Sequence, residues 1–192
     1  IVNFLKTSNM KIKTVSYSKT TITELMIPSY ANFSGKVHGG ILLSLMDKVA
    51  FACAAKHSGS YCVTVAVEGV EFLQPVEVGE LVSLKASVNY VGNSSMIIGI
   101  RIDSMNPRTS ISKHTNSCFF TMVAKDEDGS PKKVPELKLE NHEELKRFVE
   151  GKILKKLSKE KRQLLDKEVE NYSESNLLTH CKNERCDVSN LK

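Results

Sequence analysis

One carboxylate stands apart in the run Ile41 to His57, ILLSLMDKVAFACAAKH, which lacks Pro and Gly and is long enough for a helix. On that helix the near neighbours of Asp47 are Gly40, Leu43, Ser44, Ala50, Phe51 and Ala54, all small or apolar. A carboxylate that projects into such surroundings is costly unless it is paired or hydrogen-bonded. Groups of this kind tend to have shifted pKa values and to act as acids or bases; the plainer alternative is a hydrogen bond from helix to sheet. The helix is preceded by His38-Gly39-Gly40. Two glycines at a helix start leave backbone N–H groups uncovered, with the positive end of the dipole behind them, and such a start can receive a developing oxyanion. Asp47 lies about two turns further along, and Asn32 brings an amide to the loop in front.

These groups need elements to position them. Lys11 to Ile27 is rich in Thr, Val, Ile and Tyr and predicts an extended segment that Pro28 ends. The helix from Ile41 has apolar residues on nearly all sides, which predicts that other structure wraps it. After Ser58-Gly59-Ser60, Tyr61 to Glu68 alternates. Leu81 to Val91 does so more cleanly, with Val82, Leu84, Ala86, Val88 and Tyr90 opposing Ser83, Lys85, Ser87 and Asn89. Gly92-Asn93 predicts a hairpin turn into Met96 to Asp103, and a last strand is expected from Lys113 to Lys125. One helix followed by antiparallel strands describes an α+β domain whose sheet curls around the helix, and its exposed edges invite pairing between chains.

The residues resemble a known family. Glu24-Leu25-Met26-Ile27-Pro28, Asn32, Gly35, His38-Gly39-Gly40 and Leu45-Met46-Asp47 are similar to the opening of the hotdog-fold acyl-CoA thioesterases, the acyl-CoA hydrolases. The likeness continues through Val63-Thr64-Val65, Phe72, Pro75-Val76, Val78-Gly79-Glu80, Gly92-Asn93-Ser94-Ser95, His114-Thr115-Asn116 and Phe119 to Ala124, ending at Pro135. It implies a hotdog fold, an antiparallel sheet wrapped around one long central helix, in dimers commonly assembled as trimers of dimers. It also implies hydrolysis of a fatty acyl-CoA to acid and CoA, in fatty acid metabolism. Asp47 then matches the general base or nucleophile, Asn32 the residue holding the water or thioester, and the Gly40 N–H the group polarising the carbonyl, with Gly39 and His38 beside it. These groups meet across the dimer interface in that family. No metal and no separate cofactor is required, coenzyme A being part of substrate and product. Ser94 and Ser95 match positions near the pantetheine, and Arg101, Arg108, Lys113 and Lys125 are candidates for the CoA phosphates. Relatives often carry Gly-Glu-Arg before Lys-His-Thr; here Ser110-Ile111-Ser112 precedes Lys113-His114-Thr115. Two rival readings are a hotdog dehydratase or hydratase using His38 and Asp47, and a noncatalytic acyl-CoA-binding regulatory module. His114, at a strand start, reads as a structural donor.

Composition trims the remaining classes. The chain has 192 residues, 27 Lys+Arg and 22 Asp+Glu, for a net charge of +5. That excess is spread along the sequence without the dense basic face a phosphate backbone needs, so no nucleic-acid partner is expected. No apolar stretch reaches the ~18 residues of a membrane span, so no membrane partner is expected. Five Cys is an odd number, and Cys53, Cys62 and Cys118 fall in apolar segments, which points to free thiols and a cytoplasmic setting. Cys181 and Cys186 beside His180 have no second ligand cluster nearby, and Asp126-Glu127-Asp128-Gly129 has Leu137 where a calcium loop needs its last carboxylate. Four regions are expected: a non-native or disordered leader over 1–9 ahead of Met10, the hotdog domain over 10–135, a charged helical extension over 136–170 and a disordered tail over 171–192. In the extension Leu145, Phe148, Val149, Ile153 and Leu157 form an apolar stripe expected to pack against the domain or a neighbouring subunit.

Overall fold

The computed structural model describes residues 12–172, 174–181 and 184–191. The leader expected over 1–9, and Met10, lie outside the described residues. The chain divides into two compact units, Ile1–Gly151 and Lys152–Lys192. The first therefore runs past the boundary expected at Pro135.

In the first unit β1 (Ile12–Thr14), α1 (Val15–Ser18) and β2 (Thr20–Leu25) lead to a turn of 3-10 helix at Pro28–Tyr30 and then to α2 (Gly39–Ser58). Next come β3 (Tyr61–Phe72), β4 (Leu81–Val91), β5 (Ser95–Met105), β6 (Ser112–Lys125), β7 (Glu136–Lys138) and the start of α3 (His142–Glu170). Five strands make an antiparallel sheet in the order β2-β4-β5-β6-β3, while β1 pairs parallel with β7. This is the α+β arrangement expected, one long helix against an antiparallel sheet. The extended segment expected from Lys11 to Ile27 is broken by α1, where the Thr14 hydroxyl caps the Tyr17 N–H and Val15 and Ser18 turn inward.

The length of α2 follows from its ends. His38 caps the start, and Gly59 stops it in the left-handed region at φ 69°, its N–H bonded to the Ala55 carbonyl at 2.8 Å. Leu42, Leu45, Met46, Val49, Ala50, Cys53 and Ala54 are buried in one cluster with Leu84, Val88, Ile98, Ile102, Phe120 and Met122 of the sheet. Each large side chain so covered contributes about 1.5–3 kcal/mol. The wrapping expected on all sides is not found within one chain: Leu43, Ser44, Asp47, Lys48 and Phe51 are exposed. A single sheet shields one face of a helix, and the other face needs a second layer.

Val82, Leu84, Ala86 and Val88 point inward as the alternation predicts, but Tyr90 does not join them. A bulge between Val88 and Tyr90 shifts the register against β5 and turns Tyr90 to the outer face. There Tyr90 meets the Phe148 ring, centroids 5.1 Å apart, and Gly151, where even a Cβ would come within 2.8 Å of the Tyr90 Cβ. Within one chain the apolar stripe, Phe148 apart, does not pack against the domain, which leaves the neighbouring subunit as its expected cover. Leu145 and Val149 are exposed, and the buried residues of this stretch are Glu144 and Gly151, with Phe148 half-buried. Glu144 is buried because it closes a capping box: its N–H donates to Asn141 Oδ1 at 2.9 Å and its carboxylate accepts from the Glu140 N–H at 2.8 Å.

In the second unit α3 continues to Glu170, with Ile153 and Leu157 exposed, and α4 (Glu174–His180) stands where a disordered tail was expected. The Tyr172 and His180 rings meet edge to face with centroids 4.5 Å apart. That local contact is one that composition alone does not reveal. Among the described residues no helix is long and apolar enough to cross a membrane.

Candidate active site

Asp47 sits on the face of α2 that the sheet leaves open, at one wall of a hollow of about 450 Å3 lined by Leu43, Val67, Val70, Phe72 and Phe120. The sequence predicted a carboxylate enclosed by small and apolar groups; in the single chain it is exposed, with the apolar groups beside it instead of over it. Its partner comes from β3, so the helix-to-sheet hydrogen bond named above as the plainer alternative is present; it occupies one carboxylate oxygen. The Thr64 hydroxyl donates to Asp47 Oδ1 at 2.5 Å, with Met122 Sδ 3.2 Å from the same oxygen of Thr64. Sequence reasoning singled out Thr64 only as part of the family likeness. Strand alternation carries no signal for this contact, since Thr64 is exposed and a polar residue alternating with Val63, Val65 and Val67 is the ordinary outward-facing pattern.

The helix start has less freedom than its glycines suggest. The Gly40 N–H, read as uncovered, donates to His38 Nδ1 at 2.9 Å, so the imidazole occupies the position an oxyanion would take. Because Nδ1 accepts there, the ring proton of neutral His38 resides on Nε2. Gly39 packs closely: a Cβ there would lie 3.3 Å from the ring of Phe72. Ahead of the helix, Asn32 Oδ1 accepts from the Ser34 N–H (2.9 Å), the Ser34 hydroxyl (2.8 Å) and the Lys36 N–H (3.1 Å). The loop thereby fixes the Asn32 side chain and commits its oxygen, leaving the amide N–H2 as the group with which it can hold a ligand. Gly40 and Asp47 are about 10 Å apart along the helix axis. No single carbonyl reaches both within one chain.

The residues expected at the CoA phosphates are not brought together. Ser94 and Ser95 sit at the turn between β4 and β5, where the Ser94 carbonyl accepts from the Ala124 N–H and the Ser95 carbonyl from the Gly92 N–H. Arg101 is on the outer sheet face, paired with Asp103 at 2.9 Å. Arg108 is exposed in the loop after β5, its N–H bonded to Asn106 Oδ1. Lys113 pairs with Glu80 at 3.1 Å. Burial pushes the Glu80 carboxyl upward, but the Glu77 N–H, Lys113 and Ser104 outweigh it and hold its pKa below the ordinary value. Lys125, at the end of β6, lines a separate hollow with Asp126, Glu127, Asp128 and Lys132. The thiols of Cys53 and Cys118 are pushed up to about 12 by burial and are inert at neutral pH. Among the described residues no three His, Cys, Asp or Glu side chains are grouped as metal ligands, the His180, Cys181 and Cys186 set included.

A thioesterase superfamily model matches residues 34–111. Protein VdlD of Helicobacter pylori is 41% identical over 145 residues, which span 76% of this chain and 82% of that one. The crystal structure of an apo-hexameric acyl-CoA thioesterase aligns with a TM-score of 0.75 at 34% identity, over 79% of this chain and 97% of the other. The acyl-CoA hydrolase of Staphylococcus aureus, in complex with butyryl coenzyme A and coenzyme A, aligns with a TM-score of 0.76 at 28% identity, over 83% and 97%. Alanine variants of that enzyme at an asparagine, an aspartate and a threonine also align, and these three positions are spaced as Asn32, Asp47 and Thr64 are here.

Proposed function

Since this chain belongs to the hotdog-fold acyl-CoA thioesterases, and is a thioester hydrolase by that membership, we propose that Asp47 is its catalytic carboxylate and fatty acyl-CoA its substrate. The observation that carries this reading is the placement of Asp47 at an apolar hollow with a single hydroxyl donor from Thr64. One carboxylate oxygen is oriented by that donor, and the other is left to take a proton from water or to attack directly. In the base form of the reaction, water gives its proton to Asp47 while its oxygen adds to the thioester carbon. The Gly40 N–H stabilises the oxyanion, and the C–S bond breaks to release CoA. For this the His38 ring must yield the Gly40 N–H to the substrate oxygen.

The separation of about 10 Å between Gly40 and Asp47 makes two chains the working unit. We place the Asn32 loop and helix start of one chain against Asp47 of its partner. The exposed Leu43, Phe51, Val65, Val67, Phe72 and Leu73 supply the apolar surface to be covered. A trimer of dimers, as in the hexameric relative, is the proposed assembly, and residues on separate faces of one chain, such as Arg101 and Lys113, then have neighbouring chains with which to build a CoA phosphate site. Three buried free thiols favour a cytoplasmic setting. The dehydratase alternative is weaker because the relatives and solved structures that the chain resembles are acyl-CoA thioesterases and hydrolases.

The test is release of CoA thiol from a panel running from acetyl- to palmitoyl-CoA, by wild type and Asp47→Asn. Loss of a catalytic base typically costs about 10²- to 10⁴-fold in rate. A folded, assembled Asp47→Asn protein with more than half the wild-type turnover would remove Asp47 from the mechanism.

A further inference from the structure

The sheet face turned away from α2 carries a second chemical grouping. In a regular strand His114 and Ser117, an odd number of positions apart, would point to opposite faces. Here the register between β5 and β6 slips: Ile102 pairs with Asn116 but Asp103 with His114, leaving Thr115 as the extra residue. That bulge brings His114 and Ser117 to one face, and bulges of this kind re-aim side chains beside functional sites. Ser117 Oγ lies 3.2 Å from His114 Nε2. His114 Nδ1 lies 3.1 Å from the Ile102 carbonyl and 3.4 Å from Asp103 Oδ1. A carbonyl only accepts, so Nδ1 carries the ring proton and Nε2 is the bare nitrogen, to which the Ser117 hydroxyl donates.

Asp103 is kept ionised. Burial pushes its carboxyl upward, but Arg101 and Lys85, at 2.9 and 3.0 Å, outweigh it and hold the pKa below the ordinary value. Hydroxyl and bare imidazole nitrogen stand in the order in which a base activates a serine nucleophile; the Ile102 carbonyl holds the ring, and the Asp103 carboxylate, 3.4 Å from Nδ1, is placed to stabilise the imidazolium that would form. Ser117 opens on a hollow of about 580 Å3 that Lys19, Lys85, Arg101 and Arg147 also line. Arg101 is the direct cross-strand neighbour of Ser117. Glu150 lines the hollow too, and Lys85 and Arg101 are paired with Asp103 and Arg147 with Glu143; four basic side chains nonetheless border the space where an oxyanion and a departing anion would form.

We propose that Ser117, His114 and Asp103 form a second site that cleaves small activated esters independently of Asp47. Ser117 Oγ adds to the ester carbonyl while its proton passes to His114 Nε2. The C–O bond of the leaving group breaks, and the alkoxide or phenolate departs with the electron pair and takes up that proton. Water then adds to the acyl-serine, giving a proton to His114. The acid leaves, and the proton returns to Ser117 Oγ. Ester and water become acid and alcohol, with no other reactant.

The test uses the full chain carrying Asp47→Asn, with p-nitrophenyl acetate as substrate and a fluorophosphonate as serine-directed label. Expected are p-nitrophenolate release above the buffer rate and one added mass on the peptide containing Ser117. Both should be abolished by Ser117→Ala, and labelling should be slowed at least about 100-fold by His114→Gln. In chains retaining Asp47, Ser117→Ala should leave acyl-CoA turnover unchanged, which separates failure here from failure of the Asp47 assignment. The proposal is overturned by absence of labelling, by label on another residue, by ester turnover that survives Ser117→Ala, by a labelling rate indifferent to His114→Gln, or by loss of acyl-CoA turnover in Ser117→Ala.

Discussion

The Thr64 hydroxyl is what distinguishes Asp47 from an ordinary helix carboxylate. The bond is solvent-exposed, so its worth to stability is small, but it occupies Oδ1 and leaves Oδ2 as the oxygen without that donor. Thr64→Val keeps the shape and the strand propensity but removes the donor. Steady-state kinetics should show kcat lowered about 10- to 100-fold with KM little changed. A second residue-scale effect belongs to His57, fully buried at the end of α2 with Nε2 3.0 Å from the Pro135 carbonyl. Burial lowers its pKa from 6.5, the Pro135 carbonyl opposes the shift, and Lys13 adds to it. The folded state therefore favours neutral imidazole. Its contribution to stability is complete above the unfolded value of about 6.5 and is lost as pH falls below it toward the folded value. Thermal melts between pH 7.5 and 5 should show stability falling over that window, and less so for His57→Phe.

Among the elements, α3 shows why an apolar stripe is a poor guide to what a helix buries within its own chain. Its first half is held by a capping box at Asn141 and Glu144 and by Phe148 and Gly151 against Tyr90, while Leu145 and Val149 remain outside. The residue that decides the contact is a glycine, because only a bare Cα lets the helix approach Tyr90 so closely. A chain ending at Leu139 loses all of these contacts and should melt at a lower temperature. A chain ending at Lys161 keeps them and should melt close to the full chain. Calorimetry on the two proteins decides this; equal melting temperatures would mean the Phe148 contact adds nothing to stability.

For the whole molecule the unfinished surface is the determining feature. β2 and β3 are the edges of the sheet, and along β3 and the open face of α2 the exposed residues include Val65 (54%), Phe72 (52%) and Phe51 (39%). An exposed edge beside apolar side chains is the usual site for a second copy to pair. Val65→Arg sets like charges facing each other across such a pairing and leaves the interior of the chain untouched. Light scattering should show it shifted toward monomer, and acyl-CoA turnover should fall in proportion. A fully active monomer would contradict the two-chain site.

Much of this was legible in the residues themselves. The alternation in Leu81 to Val88, the uninterrupted run from Ile41 and the stop at Gly59 depend on local chemistry, period and backbone freedom, and the sheet and helix follow them. The spacing of Asn32, His38-Gly39-Gly40 and Asp47 likewise points to the family by residue type and distance along the chain alone. What local pattern does not contain is how layers meet. The Tyr90 reversal and the pairing of His114 with Ser117 both arise from register slips between strands, and register is set by partners distant in sequence. The exposure of Asp47 has the same origin: the periodicity of α2 counts apolar neighbours, but whether they lie over the carboxylate or beside it depends on a covering layer that one sheet does not supply.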